Sequence, residues 1–271
     1  LKDSIILALD TEGPPEIIGY GYLLASASYR LLKENLPEYH LHAIQKAVGP
    51  KEAEASVMLL NGLMDLFEEQ KEAHPGKRLI LRLWARESAD AYLGLLKELG
   101  FYQGNTMYVY ENVLEEASGV LTLSRIFSKA QKNLPGLILK RVTPNEAFFR
   151  EYKDVNGQAF HIPDSLDDLD FKLRYYDATI YSAFLGDHLI ASVTSWRINE
   201  AVYTTENIFC LPGKQNLGAT RALLGFVLLQ LKKEGRLVAA LTVYKDDLPA
   251  IKLYSSYGYK RKHTLLEMHY R

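Results

Sequence analysis

The chain has 271 residues, is 48% apolar, and balances 32 basic against 33 acidic residues for a net charge of −1, a size and composition suited to two modest globular domains. Lysines and arginines are scattered, with no basic block interleaved with aromatics, which argues against a nucleic-acid partner; one cysteine, Cys210, permits no internal disulfide and suits a reducing, cytoplasmic compartment. The seven histidines include one close pair, His40 and His42, without a further ligand at metal spacing, so no metal is expected.

The chain starts at Leu1 and not at methionine, as expected of a sequence that begins inside a longer protein. In chain order, "SIILALDTEGPPEIIGYGYLLAS" is expected as a hairpin whose "IILAL" is too short for a signal peptide. "YHLHAIQKAV" follows as a strand, "KEAEASVMLLNGLMDLFEEQKE" as a long helix, "RLILRLWA" as a strand, "SADAYLGLLKELGF" as a short helix and "TMYVYENVL" as a closing strand. "SRIFSKAQKNLPG" is expected as the joint between halves. "LILKRV" is then a strand, and "PNEAFFREYKDVNGQAF" a helix with Thr143 as N-cap and Pro144 at the first helical position. "SLDDLDFKLRYY" predicts a short helix capped by Ser165.

Three strands come next, "ATIYSAFLG", "HLIASVTSWRI" and "AVYTTENIFCL", joined by "GDH" and "NE" turns. "GATRALLGFVLLQLKKEG" is a long helix ending at Gly235, and its apolar run is about half of what a bilayer-spanning helix needs, so no membrane span is expected. "RLVAALTVY" is a buried strand, "DDLPAIKLYSSYG" a helix with Asp246 and Asp247 as caps, and "YKRKHTLLEMHY" a closing strand.

Two motifs stand out in this order. "LPGKQNLGATRALLGF" hands a strand to a helix through a turn of Gln215, Asn216, Leu217, Gly218, Ala219 and Thr220. Small residues there let an anion approach unpaired helix N–H groups, although a glycine can equally serve the turn and close packing alone. Downstream, Asp247, Ala250, Leu253 and Tyr254 precede Gly258 and Tyr259. With the intervening strands and helices, residues 137–271 resemble the GNAT superfamily of acyl-CoA N-acyltransferases, whose Q/R-x-x-G-x-G/A turn carries the coenzyme pyrophosphate and whose later motif is N-x-x-A-x-x-L-Y. Two positions depart from the pattern: Thr220 stands for a Gly or Ala, and Asp247 for an Asn.

The resemblance implies acetyl-CoA as acyl donor, with the pyrophosphate on the turn 215–220, the pantetheine against the strand at Phe209, Cys210 and Leu211, and Asp247 beside it. A neutral amine must attack, and the leaving thiolate needs a proton. Glu206 is the candidate base, its alternative being a solvated charge on an alternating strand; Tyr254 is the candidate acid, its alternative being a core tyrosine. Cys210 is expected as inert filling.

The first half repeats the same order of elements. An offset of 164 lays Gln215, Gly218 and Thr220 on Lys51, Glu54 and Ser56, and an offset of 158 lays Tyr254 on Leu96. A carboxylate in the place of the phosphate glycine repels a pyrophosphate, and leucine cannot donate a proton. The fold class expected is therefore α/β (α+β), two GNAT-like domains each with a mixed, mostly antiparallel sheet flanked by helices. Residues 1–125 form a degenerate, non-catalytic domain and residues 126–271 the acetyltransferase domain. The function expected is acetyl transfer to a primary amine of a small molecule or peptide. A CoA-binding regulatory pseudoenzyme and a tandem-GNAT aminoacyl-transfer enzyme are the alternatives, the first favoured if Glu206 faces bulk solvent, the second by a basic tRNA-binding surface.

Overall fold

The computed structural model describes residues 4–12, 16–31, 37–47, 51–114, 120–160, 169, 173–174 and 176–271, with side chains described for all of these except 4, 24–42, 44, 46–47 and 120–123. Contacts divide the chain into two units, the first Leu1–Asn105 with Leu265–Arg271 and the second Thr106–Thr264.

In the first unit β1 (Ser4–Asp10), β2 (Glu16–Leu31) and β3 (Pro37–Ala47) run antiparallel, and β4 (Arg78–Arg86) lies parallel to β3. A parallel step needs a crossover, which α1 (Glu52–Ala73) supplies. Its apolar residues Ala55, Leu59, Leu60, Leu63 and Phe67 recur at helical spacing and are all buried, Leu60, Leu63 and Phe67 in one core with Leu81, Leu83, Leu93, Leu96 and Met268, and Ala55 and Leu59 in a smaller one with Ala8. Leu93 and Leu96 come from α2 (Asp90–Glu98).

Leu81 and Leu83 point into that core, so alternation sends Arg82 to the other face of β4. There Arg82 Nε lies 2.6 Å from Oε1 of Glu267, a carboxylate with no exposure to solvent. Asn105 donates to Glu267 Oε2 from its backbone N–H and from Nδ2 at 2.6 Å, and His269 Nε2 stands 3.3 Å from Oε1. Burial alone would raise the Glu267 carboxyl, but His269, Arg82 and Asn105 outweigh it and hold the group down at about 2.

The second unit holds two sheets. In one, β5 (Tyr102–Val113) pairs antiparallel with β11 (Val238–Tyr244), whose other edge takes β9 (Val202–Thr204) in parallel. In the other, β6 (Leu137–Val142), β7 (Thr179–Leu185), β8 (His188–Ser195) and β10 (Glu206–Cys210) run antiparallel in the order β10-β8-β7-β6. The helices are α3 (Val120–Asn133), α4 (Glu146–Phe160), α5 (Ala219–Lys233) and α6 (Leu248–Ser255). The central helix α5 buries Leu223, Leu224, Val227, Leu228 and Leu231, each contributing roughly 2 kcal/mol. It stops at Gly235, where φ is 76° and the paired bonds Gly235 N–H to Lys232 O and Arg236 N–H to Leu231 O close a Schellman end.

Strand pairing crosses between the repeated halves. β4 pairs with the end of β12 (Lys260–Tyr270), from Leu265↔Arg86 to Tyr270↔Leu81, while β11 pairs with β5. Each half's last strand thus completes the sheet built on the other half's penultimate strand. The expected boundary at 125/126 lies inside α3 and within the second unit, whereas the division of contacts runs through β5 and β12.

Several local expectations are corrected. "SRIFSKAQKNLPG" is not a joint but most of α3, since Ile126, Phe127 and Ala130 recur on one face and pack on the core that α5 shares. The cap of α4 is Asn145, whose Oδ1 accepts from Phe148 N–H at 2.9 Å, two residues beyond Thr143. The third expected strand is broken at Thr205 into β9 and β10. The helix expected over 165–176 lies outside the described residues apart from Leu169, Leu173, Arg174 and Tyr176, and so do the side chains of His40 and His42.

Candidate active site

The break at Thr205 shapes the site. Val202, Tyr203 and Thr204 pair with Val238, Ala239 and Ala240 of β11, and Thr205 N–H still reaches Ala240 O at 2.7 Å. From Glu206 on, the chain pairs with β8 instead, Glu206 opposite Thr194 and Phe209 opposite Ser192. One extra residue therefore sits between those pairs, with Asn207 at φ 47°, a left-handed conformation that asparagine tolerates better than most residues. The bulge turns β10 away from β11. It leaves β10 as the edge of its sheet, with one row of backbone groups facing the opening between the two strands.

Alternation along β10 then sorts the side chains. Phe209 is buried against Tyr152 and Phe160 of α4, with ring centroids 5.0 and 6.1 Å away. Ile208 and Cys210 face the core around α5, and Leu211 touches both clusters. Burial raises the Cys210 thiol, opposed by a hydrogen bond with the Thr220 side chain, so the thiol stays protonated and the Thr220 hydroxyl is engaged with it.

After Leu211 the turn closes with Lys214 N–H on Leu211 O at 3.0 Å. Asn216 has φ 61°, and Gly218, the N-cap of α5, has φ 96° with no side-chain cap. A Cβ at Gly218 would stand 3.4 Å from Ala130 Cβ on α3, an ordinary van der Waals contact, so it is the left-handed backbone and not lack of space that calls for glycine here. The first intrahelical bond to this end is Ala222 N–H to Gly218 O. The helix end has neither a capping side chain nor an acidic residue in its first turn, so the N–H groups of Ala219, Thr220 and Arg221 have no intrahelical acceptor and no carboxylate of that turn beside them. Gln215 and Asn216 are exposed beside it, and Leu217 is half-buried, with its carbonyl accepting from Asn133 Nδ2 at 3.2 Å.

Glu206 stands where the strands part. Its side chain is half-buried and Oε1 accepts from Thr242 Oγ1 of β11 at 3.1 Å, so it bridges the opening and is not simply a solvated charge. Tyr254, on α6, is 7% exposed; burial raises its phenol, and the carboxylates of Asp247 and Glu206 raise it further. Tyr254 is therefore protonated throughout the neutral range and feels the Glu206 charge. Its ring lies 6.0 Å from that of Tyr259, whose hydroxyl shares a 2.6 Å hydrogen bond with Thr205 Oγ1. Asp247 caps α6 by accepting from Ala250 N–H at 3.1 Å, so this exposed carboxylate has a structural task.

The structure thus gathers Glu206 and Tyr254 in one electrostatic neighbourhood and sets the turn 215–220 at the end of the same strand. Sequence reasoning missed Thr242 and Thr205, polar residues within otherwise apolar strand runs whose hydroxyls fix Glu206 and Tyr259. In the first half, matching helix caps corrects one register: α1 is capped by Lys51 and α5 by Gly218, an offset of 167 and not 164. Lys51, with φ −98°, takes the glycine's place, and Glu54 falls one turn inside the helix. Capping by Ala89 and Asp247 keeps the 158 offset, so fully buried Leu96 does occupy the place of Tyr254. Among the described residues no group of three or more His, Cys, Asp or Glu is placed to hold a metal ion, and no helix is long and apolar enough to cross a membrane.

Residues 145–259 match the model of the Acetyltransferase (GNAT) family. Among solved structures the chain is similar to a GCN5-related N-acetyltransferase from Sphaerobacter thermophilus, at 14% identity over 98% of this chain and 80% of that one with a TM-score of 0.68. A tandem GNAT protein from the clavulanic acid biosynthesis pathway, solved without AcCoA, is 12% identical over 96% of this chain and 80% of its own, with a TM-score of 0.64. A GCN5-related glucosamine N-acetyltransferase region of a fungal multi-domain GH3 β-N-acetylglucosaminidase is 15% identical over 99% of this chain, which spans 33% of that protein, with a TM-score of 0.67. At these identities the likeness is one of fold. No curated protein matches the chain by sequence.

Proposed function

Taking as premise that residues 145–259 form a GNAT acetyltransferase domain in a chain of GNAT fold, we propose that the chain transfers an acetyl group from acetyl-CoA to a primary amine of a small molecule or peptide. The observation that carries this reading is the parting of β10 from β11 at Thr205, leading into an uncapped helix end at Gly218. The residues fit the coenzyme: an edge strand can bond the pantetheine amides as an added strand would, and the N-terminus of α5 accepts a pyrophosphate. Bound there, acetyl-CoA would supply an activated thioester carbonyl.

The chain's own part is to move two protons. Glu206 takes one from the amine, directly or through one water, so that a neutral nucleophile attacks. Thr242, by donating to Oε1, holds that carboxylate in place. Tyr254 keeps its proton because burial and two nearby carboxylates disfavour the phenolate, and it gives a hydrogen bond and then a proton to the departing sulfur. A thiolate forming in the same buried surroundings is itself a stronger base than in water, which favours the transfer.

The first unit shapes and supports the chain without binding coenzyme. The test is a panel of small primary amines and peptides with free amino groups, incubated with the chain and acetyl-CoA and followed by release of the CoA thiol and by the mass of the acetylated product. Turnover of at least one amine is expected. Stoichiometric coenzyme binding with no turnover across the panel would shift the reading to the regulatory pseudoenzyme, and absence of binding would overturn it.

A further inference from the structure

Helix α3 carries more than the packing of α5 requires. Ser124, Arg125, Ser128, Lys129, Lys132 and Asn133 line an open surface groove of about 590 Å³. Positions 125, 129 and 132 fall on one stripe of the helix, so three cations share the groove with two hydroxyls and an amide, and among the described residues no carboxylate lines it. In the same unit Arg141, Arg236 and Lys262 stand beside Glu234, Asp177 and Glu111; Arg125, Lys129 and Lys132 form no ion pair among the described residues.

The groove adjoins the coenzyme turn. Ala130, the neighbour of Lys129, is the residue packed under Gly218, and Asn133 donates to the Leu217 carbonyl. A ligand whose pyrophosphate rests on the N-terminus of α5 has one other anionic group, the phosphomonoester on its ribose. This group carries nearly two charges at neutral pH and three acceptor oxygens, which lysine and arginine satisfy best. We infer that α3 binds the adenosine 3′-phosphate of the coenzyme, with Arg125, Lys129 and Lys132 as its cations. The inference rests on the coenzyme reading above and adds to it a helix outside the matched family segment.

The experiment compares CoA with 3′-dephospho-CoA by calorimetry on the full chain, in the wild type, in Lys129→Gln and in the double variant Arg125→Ala, Lys129→Ala, with thermal melts as the check on folding. The wild type should prefer CoA by about 10-fold or more, of the order expected for a charge-assisted contact. Lys129→Gln should reduce that preference and the double variant should remove it, with affinity for dephospho-CoA changed less than about twofold. Equal wild-type affinity for the two ligands would leave α3 as a solvated cationic stripe and overturn the inference while the coenzyme reading stands. So would variants that keep the preference, or that weaken both ligands alike. Failure of both ligands to bind the wild type would instead remove the coenzyme reading, and this inference with it.

Discussion

The first turns of α1 and α5 both follow a strand and open a long buried helix, yet they present opposite faces to an anion. α5 starts at a left-handed glycine, without a capping side chain and without an acidic residue in its first turn. α1 starts at Lys51 in an ordinary conformation, with Glu52 and Glu54 in the first turn, and the Lys51 ammonium is taken by Asp10, 3.1 Å away, and by Glu12. The apolar stripe that a helix needs for packing is present in both. What distinguishes them is one backbone conformation and the sign of the nearby charges, which packing does not require and phosphate binding does.

The largest expected effect comes from giving α5 the charge of α1. Gly218→Glu puts a side chain on a residue with φ 96°, against Ala130, and a carboxylate at the helix end. Acetyl-CoA affinity should fall by about 10³-fold or more, several kcal/mol at the measured level. Gly218→Ala separates strain from charge: the left-handed penalty of about 1 kcal/mol remains and the repulsion does not, so it should lose far less. Titration calorimetry on both variants checks this, and unchanged binding in Gly218→Glu would move the coenzyme site away from the turn and dissolve the contrast between the two helices.

Next in size are Glu206 and Tyr254, the two residues proposed to move protons. Glu206→Gln should lower kcat roughly 10²-fold, with the KM for acetyl-CoA nearly unchanged. Tyr254→Phe should cost less, about 10-fold in kcat, because water can protonate a departing thiolate more easily than it can replace a positioned base. At the repeat position, Leu96 lies fully buried in an apolar core. Near-normal rates in both variants would withdraw both assignments.

How much of this was legible in the residue order follows from what each feature depends on. The turn and the Tyr254 helix were legible because small residues, a capping Asp and a terminal glycine are local requirements. The Schellman end at Gly235 is of the same kind. The exchange of β5 and β12 was not, since a strand's own residues mark it as strand but not beside which partner it lies, which is decided by the whole sheet. α3 was overlooked because Ser, Lys, Gln and Asn dominate its run and only a narrow stripe of Ile126, Phe127 and Ala130 marks it as helix. The bulge at Asn207 carries no glycine to announce it. Glu206 could be named from the strand, but its partner Thr242 is 36 residues away and emerges only when β11 is in place.

The smallest expected effect on activity belongs to the other notable carboxylate, Glu267, and it tests whether the first unit's polar cluster serves folding alone. Glu206 is half-buried at an opening and accepts from the Thr242 hydroxyl; Glu267 is fully buried and surrounded by Arg82, His269 and Asn105. Its carboxyl is held at about 2 in the folded chain against an ordinary value of 4.5. A folded pKa below the unfolded one means stability that is present in full above about pH 4.5 and lost as pH falls toward 2, on the order of 3 kcal/mol in all. Glu267→Gln removes this contribution and takes the Glu267 charge away from the largely buried Arg82 guanidinium, so the variant should be less stable at pH 7 by a few kcal/mol. The gap to the wild type should narrow between pH 4.5 and 2, where the wild-type carboxyl itself becomes neutral. Turnover at temperatures well below the variant's melting point should stay within about twofold of wild type, because nothing in this cluster belongs to the parting strands or the turn before α5. Urea titrations across pH, paired with kcat measurements, decide the matter: a gap that stays constant on acidification would show that the carboxylate is not the source of the stability, and a large loss of kcat in a folded variant would give the first unit a part in the chemistry.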